Sequence, residues 1–220
     1  MAGPYRITIY TAMPGTPLVD GNRQMGTSAA GHMWYQVSDG EVKNSYGFAP
    51  KEHGASSGPG KGYDTDTEAY QSPHYSRTME ITAEQYAKLK QFGDAAIKED
   101  WGYFKGEYNG ATNSCIDFTW GALNHAGLHR ERQLPFGAQR QDKDFDGAVK
   151  PLDNIREFQR IPDPVPGSPL NREQENPLPE RTLWQRVISD NAVSPDGVTD
   201  PSRLAAAPAA AERKPFDDAV

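Results

Sequence analysis

Cys115 is the only cysteine of the 220-residue chain, and it lies in the stretch Ala-Thr-Asn-Ser-Cys-Ile-Asp-Phe-Thr-Trp. The spacing of Phe118, Ala122 and Ala126 predicts a helix that starts near Ser114. At such a start, unpaired backbone amides and the positive end of the helix dipole stabilise a thiolate and can bind an oxyanion. Cys115 is therefore a candidate nucleophile, and the alternative is a small buried hydrophobic side chain.

His32 is the histidine best placed to act as a base for that nucleophile. It lies at the start of an alternating stretch, residues 31–37, that predicts a β-strand. A strand holds an imidazole ring rigidly, as a general base requires, although a strand histidine also commonly has a purely structural role. The other four histidines lie too far along the predicted helix or beside a long loop: His125, His129, His53 and His74.

Strands and helices around these two residues supply the scaffold. Alternating residues predict three more strands, at 5–11, 42–48 and 77–81. The second of these is joined to the His32 strand by a turn at Asp39-Gly40. Thr82 and Gln85 fit a capping box, which predicts the start of a helix of about four turns. The expected fold class is α+β, with an antiparallel sheet packed against helices.

Residues 50–73 are rich in glycine, serine and proline and show no periodicity, so a long surface loop is expected there. Its carboxylates, Asp64, Asp66 and Glu68, are interpreted as solvated loop residues. The loop follows the strand after His32, so it is predicted to act as a movable flap beside the site.

Three motifs follow one another along the chain: Gly-His-Met-Trp-Tyr at 31–35, Asn-Ser-Tyr-Gly-Phe-Ala-Pro at 44–50 and Asn-Ser-Cys-Ile-Asp-Phe-Thr at 113–119. In this order the sequence resembles the circularly permuted papain-like superfamily, which includes NlpC-type cysteine peptidases and the lecithin:retinol acyltransferase group. In that superfamily the histidine begins a strand, and the cysteine follows much later on a helix. The resemblance covers roughly residues 5–130 and implies a permuted papain-like fold.

The resemblance also implies a polar residue on the next strand that orients the imidazole. Counting on from His32 by the spacing of the acyltransferase-like members gives Asn44, whose side-chain oxygen can accept a hydrogen bond from the ring. A strict two-residue turn would instead pair His32 with Gly47 and place Ser45 on the same face. Glu80, on the following predicted strand, is a further candidate. The alternative for Asn44 is that it only caps a strand.

These residues predict a cysteine hydrolase in which Cys115 attacks a carbonyl and His32 transfers the proton. The resemblance offers two substrate classes, the peptide amides of peptidoglycan and the acyl esters of lipids. Peptidoglycan is preferred because the stretches at 44–50, 150–154 and 161–164 resemble antibacterial effectors of type VI secretion systems. That resemblance implies action in the periplasm or envelope of a target cell. It also implies an immunity protein and a secretion spike or chaperone as partners, while an inactive papain-like binding module is the non-enzymatic alternative.

Carboxylates with the spacing of a calcium loop occur after residue 140: Asp142, Asp144, Asp146 and Asp153. Asp153 stands where such loops carry a bidentate glutamate, and Pro151 interrupts the spacing. An acidic surface turn is therefore the alternative, and no cofactor is expected to be required.

The chain divides into three parts by composition. Residues 1–150 are interpreted as the papain-like catalytic domain. Six prolines within 161–179 predict an extended, proline-rich arm over 151–192 that packs on the domain through apolar residues. Residues 193–220, which contain Leu-Ala-Ala-Ala-Pro-Ala-Ala-Ala, predict a flexible tail.

The charge balance argues against nucleic acid as a partner. The chain carries 30 acidic and 23 basic residues, a formal charge of −7, and no basic cluster interleaved with aromatic residues. No apolar stretch approaches the roughly 18 residues of a membrane helix. The N-terminus lacks the layout of a secretory signal, so synthesis in the cytoplasm without one is expected.

Overall fold

A computed structural model describes residues 3–189 of the chain. The strands are β1 (Arg6–Ala12), β2 (Pro17–Asp20), β3 (Arg23–Thr27), β4 (His32–Ser38), β5 (Lys43–Pro50), β6 (Ser57–Tyr63), β7 (Tyr75–Glu80), β8 (Glu107–Asn109), β9 (Arg130–Gln133), β10 (Gln139–Asp142) and β11 (Arg172–Glu175). Seven of them form one sheet in the order β11-β7-β1-β4-β5-β6-β8. Each neighbouring pair in it is antiparallel, and β2-β3 and β9-β10 form two separate hairpins.

The helices are α1 (Asp66–Ala69), α2 (Ala83–Ile97), α3 (Cys115–His125), α4 (Pro151–Gln159) and α5 (Leu183–Ser189). The predicted capping box of α2 is present, because Thr82 accepts from the Gln85 amide and Gln85 accepts from the Thr82 amide. Ser114 is the cap of α3, as its position predicts. The α+β class is thereby confirmed. Within the described residues, no helix is long and apolar enough to cross a membrane.

The core lies between the centre of the sheet and the two longest helices. Alternate residues of β1 and β4 are fully buried: Ile7, Ile9, Met33, Tyr35 and Val37. Phe118 of α3 contacts the rings of Tyr35 and Phe48, with centroid distances of 6.1 and 5.7 Å. Packing of these side chains against the helices fixes the register of β4, since a slip by one residue would move every one of them to the opposite face of the sheet. The first residue of that strand is His32.

The expectation of an unstructured loop over residues 50–73 was wrong, because this stretch contains β6 and α1. A Cβ atom at Gly60 would lie 2.2 Å from the Phe48 ring, and one at Gly62 would lie 2.6 Å from the Ala96 backbone. The strand needs glycine where it passes these groups. It therefore lacks the side chains whose alternation would have indicated a strand.

After residue 150 the chain returns to the sheet through contacts with Arg77 of β7. This guanidinium is buried, and it donates to the carbonyls of Phe158 and Ile161 and to the Asp163 carboxylate. Beyond these contacts β11 pairs with β7 along its edge. The stretch predicted as an extended arm thus contains two helices, α4 and α5, and a strand of the main sheet. The predicted tail, 193–220, lies outside the described residues.

Candidate active site

His32 is held in a stack of aromatic rings at the start of β4. The imidazole lies 4.9 Å from the Tyr70 ring and 5.7 Å from the Trp34 ring, centroid to centroid, and is nearly parallel to both. The residue is only 5% exposed. Trp34 and Tyr70 also contact each other, at 5.0 Å, so the three rings form one cluster that restricts rotation of the imidazole, as a positioned base requires.

Asp66 is the carboxylate that meets His32. Its Oδ2 lies 2.8 Å from His32 Nε2, and Asp66 is 8% exposed. Asp66 is the first residue of α1, and the interpretation of it as a solvated loop residue was wrong. A buried carboxylate on one ring nitrogen fixes the orientation of the imidazole and stabilises its protonated form. Nδ1 is the nitrogen that this contact leaves available to a second group.

Gly47 provides the space for that contact. It lies opposite Trp34 in the β4-β5 pair, so its missing side chain would point to the face that carries His32. A Cβ atom at this position would lie 1.7 Å from Asp66 Oδ2 and 2.9 Å from His32 Nε2. Any other residue here would occupy the place of the carboxylate.

Cys115 is the first residue of α3 and is 8% exposed, with a free thiol. The capping box of this helix uses the groups next to it. Ser114 donates from its amide to Asp117 Oδ2 at 2.7 Å, and its hydroxyl accepts from the Ile116 amide at 3.2 Å. The Cys115 amide takes no part in the box, so it remains a donor at the helix start where an oxyanion would form.

Cys115 is among the ionisable groups that influence the pKa of His32. Burial of the ring opposes its charge, but the ionisable groups Tyr70, Asp66 and Cys115 outweigh burial and raise the pKa of His32 well above 6.5. Burial also raises the pKa of Tyr70, which therefore keeps its proton at neutral pH. Of these groups, the Asp66 carboxylate is the one that is hydrogen-bonded to the ring. Among the described contacts, Sγ makes no hydrogen bond to the ring.

Tyr108 of β8 is a further ionisable group that Cys115 influences. Burial, followed by the proximity of Cys115, raises the pKa of Tyr108 to about 12. The phenol therefore stays protonated and can donate a hydrogen bond. Its ring packs 5.6 Å from that of Phe48, which anchors it in the core. The sequence offered no signal for this residue, because β8 is only three residues long.

The other candidates for a third catalytic residue are not beside His32. Asn44 lies opposite Val37, five residues further along β4 and on the core face of the sheet. Glu80 is at the far end of β7, opposite Arg6, and its side chain accepts from Ser168. Ser45 lies on the His32 face, but its hydroxyl bonds to Thr67 of α1.

The carboxylates with calcium-loop spacing are not gathered into one site. Asp142 ends β10 and forms an ion pair with Arg130, with 2.7 Å between Oδ2 and Nη2. Asp153 lies in the first turn of α4. Within residues 3–189 no group of three or more histidine, cysteine, aspartate or glutamate side chains is arranged to hold a metal ion.

Comparison with protein-family models, curated proteins and solved structures finds no match to this chain.

Replacing Gly47 by alanine is expected to separate Asp66 from His32, because the added methyl group would take the place of Oδ2. The site would lose its carboxylate while the core remained packed. Iodoacetamide labelling of Cys115 at neutral pH should slow about tenfold or more, which corresponds to one or more pKa units in the partner imidazole. Gly110→Ala, whose Cβ atom would lie 3.5 Å from its nearest contact, is the matched control. Unchanged labelling in Gly47→Ala would show that Asp66 does not act on this thiol.

Proposed function

We propose that this protein is a cysteine hydrolase of the permuted papain-like kind, with Cys115 as nucleophile, His32 as acid and base, and Asp66 as the group that orients the imidazole. The observation that carries this proposal is the buried contact between His32 and Asp66 beside a cysteine at a helix start. Burying a charged pair carries a desolvation penalty, which good geometry and further hydrogen bonds must offset. Here it holds a proton donor next to the one thiol of the chain.

The proposed reaction starts with an ion pair of the Cys115 thiolate and the His32 imidazolium. The sulfur attacks the substrate carbonyl carbon, and the oxyanion that forms accepts from the Cys115 amide, with the Tyr108 hydroxyl nearby as a second donor. The imidazolium then gives its proton to the leaving nitrogen as the C–N bond breaks. This leaves a thioester on Cys115. Neutral His32 next takes a proton from water, whose oxygen attacks the thioester; the C–S bond breaks, the acid is released, and the thiolate–imidazolium pair is restored.

We assign peptide amides of peptidoglycan as the first substrate class. The support is the resemblance of the stretches at 44–50, 150–154 and 161–164 to antibacterial effectors of type VI secretion systems. On this proposal the protein acts in the envelope of a target cell, and an immunity protein and a secretion spike or chaperone are its partners. The same thiolate chemistry cleaves esters, so the substrate has to be found by experiment.

Phospholipid esters are the second candidate, and one observation favours them. Leu183 and Trp184 of α5 are 74% and 70% exposed. The next residue, Gln185, donates to the carbonyl of Ser28, four residues before His32. Two exposed apolar side chains close to a catalytic centre suit contact with a lipid surface.

Incubation with purified peptidoglycan and, separately, with phospholipid vesicles tests the proposal, with the products identified by mass spectrometry. We expect new amine and carboxyl ends in peptidoglycan peptides, and none when Cys115→Ala is used. Release of fatty acid from vesicles, with intact peptidoglycan, would support the lipid candidate instead. If neither substrate is cleaved and iodoacetamide labels Cys115 no faster than an ordinary thiol, the fold is an inactive binding module and the proposal is wrong.

A further inference from the structure

α1 is too short to hold its own position, although it carries Asp66. It has four residues, which is about one turn, and isolated helices of that length do not persist in water. Its cap residue, Thr65, makes no side-chain hydrogen bond to the helix. Contacts from outside the helix must therefore fix the carboxylate within hydrogen-bond reach of His32.

Thr67, the residue after Asp66, makes such contacts to both strands of the hairpin that carries His32. Its hydroxyl donates to Ser45 Oγ of β5 at 3.0 Å and accepts from Trp34 Nε1 of β4 at 2.9 Å. Its amide also donates to Ser45 Oγ, at 3.3 Å. Ser45 is 6% exposed and Trp34 is fully buried. Three hydrogen bonds thus converge on one residue of α1.

The hydroxyls of Thr67 and Ser45 would destabilise the fold if they had no hydrogen-bond partners. Transferring a hydroxyl or amide group from water to the protein interior without a hydrogen-bond partner costs about 1–3 kcal/mol. In this network the Thr67 hydroxyl both donates and accepts a hydrogen bond, and Ser45 Oγ accepts two. The other end of α1 is held separately, because the Gln71 amide donates to the Pro17 carbonyl at 3.0 Å.

We propose that Thr67 and Ser45 are positioning residues, which fix α1 on the β4-β5 hairpin so that Asp66 meets Nε2 of His32. Neither side chain touches the reacting atoms. Their effect passes through Asp66, and the role rests on the function proposed above. The sequence suggested Ser45 as a possible third catalytic group. In this proposal Ser45 instead positions Asp66, through Thr67, and does not act on His32 itself.

The pH dependence of Cys115 alkylation by iodoacetamide tests this role without a substrate. The ionisable groups that face His32 are Asp66 and Tyr70 at the two ends of α1, Cys115 on α3 and Tyr108 on β8. Thr67→Val and Ser45→Ala change none of them. A shift of the alkylation profile in these variants therefore reports on the placement of Asp66.

We expect Thr67→Val and Ser45→Ala to slow alkylation at about pH 6 by roughly tenfold, the equivalent of one pKa unit in the imidazole. Thr67→Ser keeps the hydroxyl and should retain the profile of the unaltered protein. In an Asp66→Asn background, Thr67→Val should cause no further shift, because the group through which it acts is already gone. Melting temperatures are recorded for every variant.

Three outcomes would overturn the proposal. The first is a lower melting temperature of Thr67→Val with an unchanged alkylation profile, which is the behaviour of a purely structural residue. The second is a Thr67→Ser variant that behaves like Thr67→Val, and the third is a further shift on adding Thr67→Val in the Asp66→Asn background. Failure of the proposed function looks different, because the profile would then shift as expected while no peptidoglycan or lipid is cleaved.

Discussion

Cys115→Ala and His32→Ala are each expected to reduce hydrolysis by about 10³-fold or more, and the double variant is expected to be no worse than either. The reason is that a nucleophile and its base act as one unit. Without the base, the thiol is not ionised and the leaving group receives no proton. Without the thiol, the imidazole has nothing to activate. Single-turnover rates on the substrate that mass spectrometry identifies give the measurement.

His129→Ala is the matched control for this pair. His129 is partly buried, and its Nδ1 lies 3.1 Å from Asn124 Oδ1, so its loss tests the general effect of removing a partly buried, hydrogen-bonded imidazole. It is expected to retain nearly full activity. Strict additivity of the two losses, or turnover retained in either single variant at an unchanged melting temperature, would mean that Cys115 and His32 do not work together.

The parts of the site that local sequence controls could be predicted. Ser114 and Asp117 form a capping box within four residues, so the start of α3, and with it the position of Cys115, follows from short-range hydrogen bonds. His32 is positioned by alternation, since Met33 and Tyr35 must face the core. In both cases the residues that determine the structure are neighbours in the chain.

The carboxylate of the site could not be predicted, because its position depends on residues far apart in sequence. Asp66 is 34 residues from His32 and belongs to a stretch that glycine makes look unstructured. The turn after β4 was a second obstacle. Asp39 Oδ1 accepts from the amides of Glu41 and Val42 at 3.0 and 2.8 Å, and the strands pair only from Ser38 with Lys43.

That longer turn shifts the register by two residues from the one a strict Asp-Gly turn would give. Gly47 lies opposite Trp34 instead of His32, and Asn44 lies opposite Val37. A polar residue on β5 therefore does not reach the imidazole. The vacant side-chain position at Gly47 admits a carboxylate from α1 in its place. Because glycine has no side chain, nothing in the sequence indicated that Gly47 makes room for a carboxylate beside His32.

Asp66→Asn is expected to cause the second large effect, a loss of about 10²-fold or more in hydrolysis at neutral pH. The asparagine keeps the size of the side chain but not its charge. The pKa of His32 then moves down from its raised value, because burial still opposes the imidazolium while the carboxylate that favours it is gone. The pair passes from thiolate and imidazolium to neutral thiol and imidazole. Alkylation of Cys115 should therefore begin at a higher pH than in the unaltered protein.

Stability should change with pH in a direction that the same pair determines. A histidine whose pKa is raised by folding contributes stability that is complete below about pH 6.5, its unfolded value, and is lost as the pH rises through the folded value. Asp66→Asn removes the carboxylate that contributes to the raised pKa, so it should destabilise most in mildly acidic solution. The difference in melting temperature from the unaltered protein should shrink as the pH rises. A difference that stays constant from about pH 5 to 9 would mean that His32 is not charged in the folded protein, and the ion-pair mechanism would then lose its proton donor.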